Sequence, residues 1–170
     1  MMSENKFTHI DSSGNPTMVD VGDKQITKRV AQAQSIVVLG DEIMNLLENE
    51  EIHTKKGPVF QTAILAGVMA AKKTSALIPL CHPLGLDKCL VEISVNKNRE
   101  VLIICTASLT AKTGVEMEAL TGATVAGLTV YDMCKAISQE MVLKEVKLVE
   151  KTGGKSDYII PFQTLPKGKG

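Results

Sequence analysis

The sequence predicts an α+β fold in which an antiparallel sheet carries its helices on one face. Three observations lead there. A β-branched run ends at a helix start; two apolar, strand-like runs are joined by a short polar connection; and a long helix rich in small residues precedes a run of near-alternating pattern. At 170 residues the chain is sized for one domain, or one domain with tails. Its 44% hydrophobic content is enough for a core and argues against disorder.

Residues 1–16 are polar and turn-rich and read as an extended arm, and residues 17–20 offer a short strand. Over residues 29–39, Val30, Ala31, Ala33, Ile36, Val37 and Val38 favour a strand. Gly40 and Asp41 then open a helix in which Ile43, Met44, Leu46 and Leu47 fall at helical spacing. Residues 52–57 read as a charged loop with His53, Lys55 and Lys56. Pro58 suits the first turn of the next helix, an alanine-rich one over residues 60–73. Residues 74–86 read as an apolar loop interrupted by His82. Strands are expected over residues 88–95 and 101–109, joined by a hairpin loop at 96–100, with a turn at 110–114. The longest helix is expected over residues 116–138, with Glu116 and Glu118 at its positive end. Residues 142–149 read as a half-exposed strand, and residues 163–170 as a disordered tail beyond a single domain over 17–162. The order is βαββαβ, that of a ferredoxin-like sandwich. The hairpin between the middle strands argues against a doubly wound sheet.

Charge narrows the function. Lys plus Arg and Asp plus Glu each total 19, so the formal net charge is zero, which disfavours a dedicated nucleic-acid-binding domain. Only Arg29 and Arg99 are arginine, so any anion site is built mainly from lysine point charges. The longest uncharged stretch, residues 57–71, is 15 residues, too short to span a bilayer. No secretory signal opens the chain, so the expected compartment is the cytoplasm. The four cysteines form no C-x-x-C pair and there are only three His, so no metal site is expected. Buried free thiols fit a reducing compartment.

Asp132 and Lys135 share a helix face within an apolar stretch, which gives either a surface ion pair or a partly desolvated acid–base pair. Glu118 lies fourteen positions before Asp132, ~21 Å along a helix axis, so the two cannot form one carboxylate pair. The small face of that helix (Ala119, Gly122, Ala123, Ala126, Gly127) suits either close packing on its own sheet or a subunit interface. His82 in its apolar loop is either a half-buried structural residue or a functional one. Gly153-Gly-Lys-Ser156 lacks the first glycine of a P-loop, but a Gly-Gly loop with a lysine can hold a phosphate.

Longer motifs carry a resemblance. Phe7-Thr-His-Ile-Asp11, Met18-Val-Asp-Val21, Ile78-Pro-Leu-Cys-His-Pro-Leu84, Lys112-Thr-Gly-Val-Glu-Met-Glu-Ala-Leu120, Tyr131-Asp-Met-Cys-Lys-Ala136 and Lys151-Thr-Gly-Gly-Lys-Ser156 span nearly the whole chain. Together they resemble the cyclic pyranopterin monophosphate synthases, the molybdenum cofactor biosynthesis protein C family. The resemblance implies a ferredoxin-like subunit in a homohexamer, a trimer of dimers. It implies a small-molecule substrate, 3′,8-cyclo-7,8-dihydro-GTP, rearranged to a cyclic pyranopterin monophosphate with release of diphosphate, and no redox or metal cofactor. By motif it assigns Asp132, Lys135 and Lys56 to catalysis. Leu80, Cys81, His82, Met117, Glu118 and Glu116 are assigned to substrate contact, and Lys72, Lys151 and Lys155 to the triphosphate, with Arg29, also placed in substrate contact, and Asp20 as weaker matches. Three positions depart from the family pattern: Pro58 stands for Asp, Ile64 for Arg, and Asp157 for Gly. The alternative from another class is a non-catalytic nucleotide- or anion-binding regulatory domain, for which the same fold is used. A pure assembly scaffold would explain the small-residue helix alone.

Overall fold

The computed structural model describes residues 13–160. Most of the expected arm and all of the expected tail lie outside the described residues. The sheet is built around β1 (Thr27–Val38), which pairs antiparallel with β6 (Val101–Ala111) on one side and β7 (Val142–Thr152) on the other. β5 (Lys88–Val95) pairs with the far side of β6, and the two-residue β8 (Tyr158–Ile159) with the far side of β7. The order is β5-β6-β1-β7-β8. Among the four long strands, the fourth and first in the chain are neighbours, then the third and second. With α2 (Val59–Ala71) and α4 (Glu116–Cys134) as the crossovers, this is the expected ferredoxin-like α+β sandwich.

The pattern explains the layers. In β1 and β6, Ala31, Ala33, Val37, Val101, Ile103, Cys105, Ala107 and Leu109 alternate onto one face. They form the main core with Ala63 of α2 and Ala119, Ala123, Ala126 and Val130 of α4. The reverse face holds a small separate cluster of Ile36, Leu102 and Ile104. Beside it Gln32 donates to Thr106 (2.9 Å) and Gln34 to Glu145 (2.7 Å).

The helix layer is thin because glycine faces glycine. A Cβ on Gly122 would lie 2.5 Å from Cys105 Sγ and 3.2 Å from the Gly67 carbonyl oxygen; one on Gly67 would lie 2.9 Å from the Gly122 carbonyl oxygen. Gly127 is similarly pressed onto Ser35. The small face of the long helix is therefore consumed within the subunit, which corrects the subunit-interface reading of Gly122, Ala123, Ala126 and Gly127.

Three local expectations are also corrected. Residues 17–20 form no strand. The helix expected from Gly40 is one turn, α1 (Asp41–Met44), followed by β2 (Leu47–Glu48). The charged loop is itself paired, as β3 (Glu51–Thr54), a turn at Lys55-Lys56, and β4 (Gly57–Pro58). The cause is Asn49 and Glu50, both at positive φ (49° and 64°), as a two-residue primed hairpin turn requires. That turn diverts Leu47 from the helix its spacing suggests. After α2, Thr74 opens a single helical turn, α3 (Thr74–Leu77), inside the expected loop.

The β5–β6 hairpin is fixed by Glu100, almost buried, which accepts from Lys144 Nζ (2.6 Å) and Asn96 Nδ2 (2.9 Å). These donors hold its carboxyl below the usual glutamate range.

Two outcomes follow. Gly122→Ala gains up to ~1 kcal/mol of helix propensity but overpacks the crossing, and a net loss of about 1–3 kcal/mol is expected by urea denaturation. The depressed Glu100 carboxyl contributes stability above the unfolded glutamate value of ~4.3, and that contribution disappears as pH falls through its lower folded value. Glu100→Gln should flatten the fall of stability with pH below about 4.3, read from denaturation midpoints across an acid series.

Candidate active site

The candidate residues fall into two groups at opposite ends of α4. At its C-terminus the Asp132 carboxylate lies between two ammonium groups, Lys135 Nζ at 2.7 Å on Oδ1 and Lys56 Nζ at 2.9 Å on Oδ2. Lys135 follows from helical spacing, one turn on. Lys56 comes from the β3–β4 turn and also donates to the Asp132 backbone carbonyl (3.1 Å), so it satisfies the negative end of α4 as well. The two lysines hold the Asp132 carboxyl down at about 2, chiefly through Lys135, and Asp132 raises Lys135 in turn. All three side chains are about half exposed (50–53%). This corrects the expected partial desolvation of the pair: in this chain the trio is a solvent-exposed ion cluster.

At the other end of α4 lies a cavity of about 890 Å³. Glu116, Met117 and Glu118 from the first turn of α4 line it, with Leu80, Cys81 and His82 from the loop after α3, Arg29 of β1, and Lys151 and Lys155 at and beyond the end of β7. Val115 at the helix N-cap supplies no side-chain acceptor. The positive end of α4 thus faces the cavity. Burial pushes the Glu118 carboxyl up, and pushes up the Cys81 thiol, an effect to which Glu118 adds. Glu116 lies 3.4 Å from Lys151. Among the described residues no three His, Cys, Asp or Glu side chains gather as they would to hold a metal ion.

A strap over residues 19–25 forms one wall. The His82 ring nitrogen Nε2 shares a hydrogen bond with the Val19 carbonyl (2.9 Å), and Lys112 Nζ donates to the Gly22 carbonyl. Asp20 stays within the strap, accepting from Gly22 N–H (2.8 Å). The Gly-Gly loop also lines the cavity. Thr27 Oγ1 donates to the Gly153 carbonyl (2.7 Å), and a Cβ on Gly153 (φ 81°) would overlap the Lys28 carbonyl.

Nine residues expected in substrate contact therefore share one cavity: Arg29, Leu80, Cys81, His82, Glu116, Met117, Glu118, Lys151 and Lys155. Lys72 does not join them; it is the exposed C-cap of α2, beside Cys89. Asp132, Lys135 and Lys56 do not reach the cavity either, being ~21 Å along the helix from Glu118. Lys24 and Lys112 also line the cavity. Lys112 opens the Thr-Gly-Val-Glu motif and was legible there, whereas nothing marks Lys24 until the strap is in place. The departures find places too. Asp157 closes the Gly-Gly loop by accepting from Gly153 N–H (3.0 Å). Ile64 packs on the core, away from the cavity lining, and Pro58 is the N-cap of α2.

A family model described as the MoaC family matches residues 18–154. The chain belongs to the MoaC family. The match includes the trio and all of the cavity lining except Lys155. The MoaC-family chain is also similar to two curated proteins. It is 49% identical over 172 residues to "Molybdenum cofactor biosynthesis protein 1" of Dictyostelium discoideum, covering 91% of this chain and 27% of that protein. It is 50% identical over 155 residues to "Molybdenum cofactor biosynthesis bifunctional protein" of Synechocystis sp., covering 89% of this chain and 45% of that protein. The chain thus spans less than half the length of either relative. No helix among the described residues is long and apolar enough to cross a membrane.

Proposed function

We propose that this chain acts in molybdenum cofactor biosynthesis as a cyclic pyranopterin monophosphate synthase. It is then a phosphorus–oxygen lyase that converts (8S)-3′,8-cyclo-7,8-dihydroguanosine 5′-triphosphate to cyclic pyranopterin monophosphate and releases diphosphate. Family membership and the names of two relatives at about half identity support this reading. The observation that carries it is the cavity, in which Lys24, Arg29, Lys112, Lys151 and Lys155 stand around a buried carboxyl, Glu118. Five cations at the positive end of a helix suit a triphosphate. An acceptor carboxylate at 4% exposure suits the donor edge of a guanine-derived ring.

The chemistry follows from these groups. A sugar hydroxyl attacks the innermost phosphorus, its proton passes to a base, and the bond to the diphosphate breaks. Charge builds on the departing oxygens, which lysines neutralise. Ring opening and reclosure need proton transfers, assigned to Asp132, Lys135 and Lys56. As a solvated ion pair, Asp132 and Lys135 hold their charges too firmly to exchange protons near neutral pH. Covering it with substrate and protein would lower the stability of its charges and bring its pKa values toward one another.

That cover would come from a second copy of the chain. One helix cannot bring Glu118 and Asp132 to one substrate, but the cavity of one subunit placed against the trio of another can. The proposed assembly is a homo-oligomer with shared sites, the homohexamer built as a trimer of dimers that the resemblance implies, with the cytoplasm as its compartment. Lys72 remains a candidate for the triphosphate on charge alone. No redox or metal cofactor is assigned.

Diphosphate release from the cyclic GTP derivative tests the reading. Asp132→Asn keeps shape and should fold normally, with kcat lowered about 100-fold or more. Mixing it with an equally inactive Glu118→Ala protein should recover part of the activity through sites that draw one wild-type half from each chain. Absence of any recovery after subunit exchange would place the whole site in one chain.

The cations should divide by role. Lys151→Ala and Lys155→Ala are expected to raise KM roughly tenfold with little loss of kcat, and the KM of the parent protein should rise with salt. Lys56→Ala and Lys135→Ala should instead lower kcat at near-constant KM. A Lys135→Ala protein that only raised KM would belong with the phosphate binders.

A further inference from the structure

We propose that Glu51 is a positioning residue that holds Lys56 on Asp132; the inference rests on the reading of that pair as catalytic. Glu51 opens β3 and is not near the cavity. Its carboxylate makes three hydrogen bonds, each accepted from a backbone amide. Oε1 accepts from Ile52 N–H and Phe60 N–H, both at 2.8 Å, and Oε2 accepts from Gln61 N–H at 3.1 Å.

Phe60 and Gln61 are the second and third residues of α2, whose amides an N-cap side chain normally takes. Pro58, the N-cap here, has extended backbone (φ −70°, ψ 128°) and no side chain able to accept. Glu51 therefore caps α2 from across the hairpin, and places a negative charge at the helix's positive end.

The cap determines where Lys56 goes. Residues 51 and 60–61 are the two ends of the segment whose tip is Lys55-Lys56. Between them β3 and β4 pair through only two residue pairs, His53 with Pro58 and Thr54 with Gly57. Near the tip, Thr54 Oγ1 donates to the Gly57 carbonyl (3.3 Å) and accepts from Lys56 N–H (3.2 Å). That bracing keeps the turn's shape, and Thr62 Oγ1 ties β4 to α2 by donating to the Pro58 carbonyl (2.6 Å), but none of these contacts fixes the β3 side on α2. The Glu51 carboxylate does, and α2 is locked against α4 at the Gly67–Gly122 crossing. The hairpin tip is thereby aimed at the last turn of α4, where Lys56 Nζ meets Asp132. Lys135 needs no such help, because it sits on the same helix as Asp132.

The experiment compares Glu51→Ala, Glu51→Gln and the double variant Glu51→Ala with Pro58→Asp. It reads kcat and KM for diphosphate release and the titration of the Asp132 carboxyl by carbon NMR. A misplaced Lys56 should lower kcat about 10- to 100-fold in Glu51→Ala with KM within about threefold. The Asp132 midpoint should climb from about 2 as one ammonium leaves it. Glu51→Gln, whose amide oxygen still accepts, should lose less. In the double variant an aspartate at the N-cap takes over the Phe60 and Gln61 amides, so kcat and the Asp132 midpoint should both return.

Unchanged kcat together with an unchanged Asp132 midpoint in Glu51→Ala would overturn the proposal. So would a folded double variant that recovers neither quantity. If Glu51→Ala alone fails to fold, Glu51→Gln and the double variant decide on the same two readings. Lys56→Ala, run alongside, separates the two ideas. Full turnover in Lys56→Ala would remove the catalytic reading of the pair, while the Asp132 midpoint would still report whether Glu51 positions Lys56.

Discussion

The subunit depends on a contact without side chains, where Gly67 of α2 meets Gly122 of α4 with each carbonyl about 3 Å from where the other's Cβ would be. Each glycine costs its helix ~1 kcal/mol in propensity against alanine, and two in facing positions make sense only if backbone proximity is the gain. That proximity lets both helices lie on the sheet at once, with Cys105 of β6 pressed into the same spot. It also sets the site. Because α2 runs against α4, the hairpin that precedes α2 arrives at the C-terminal turn of α4 and nowhere else. A lysine 76 positions from Asp132 in the chain becomes its hydrogen-bond partner through helix packing, not through any local signal.

How much of this was legible follows from the range of the forces involved. The βαββαβ order could be read because β1, β5, β6, α2 and α4 are long and each is rich in the residue types its element favours. The hairpin of residues 47–58 could not. Leu47 continues the helical spacing of Ile43 and Met44, the charges of residues 52–57 suit a loop, and the deciding feature is a pair of left-handed residues, Asn49 and Glu50, of which only the first is a residue type that favours that conformation. The Asp132–Lys135 pair is visible as an i,i+3 spacing, but its solvation is not. Apolar neighbours in sequence point to other sides of a helix, and Met133 and Cys134 are buried while Asp132 and Lys135 look outward. Most of the cavity lining could be named from motifs. Lys24 could not, since it enters the lining only as part of a strap held by His82 and Lys112.

The two halves of the candidate site are also sorted by the field of one helix. The N-terminus of α4 carries partial positive charge and faces the cavity where a triphosphate is proposed to lie. Its C-terminus carries partial negative charge and collects the ammonium groups of Lys56 and Lys135. That field favours an anion at the first end and the cation cluster at the second, and reversing the helix would oppose both. The same sorting keeps the halves a helix length apart. Within one chain the trio stays in water, with Asp132 ionised far below neutral pH. Water is what fixes those charges, so a proton-transfer role requires that it be displaced. The cavity alone cannot do this, being at the wrong end of the helix. Any catalytic reading of Asp132 is therefore also a claim about what covers it, and a second subunit that brings its cavity meets the need for substrate and the need for a lid in one step.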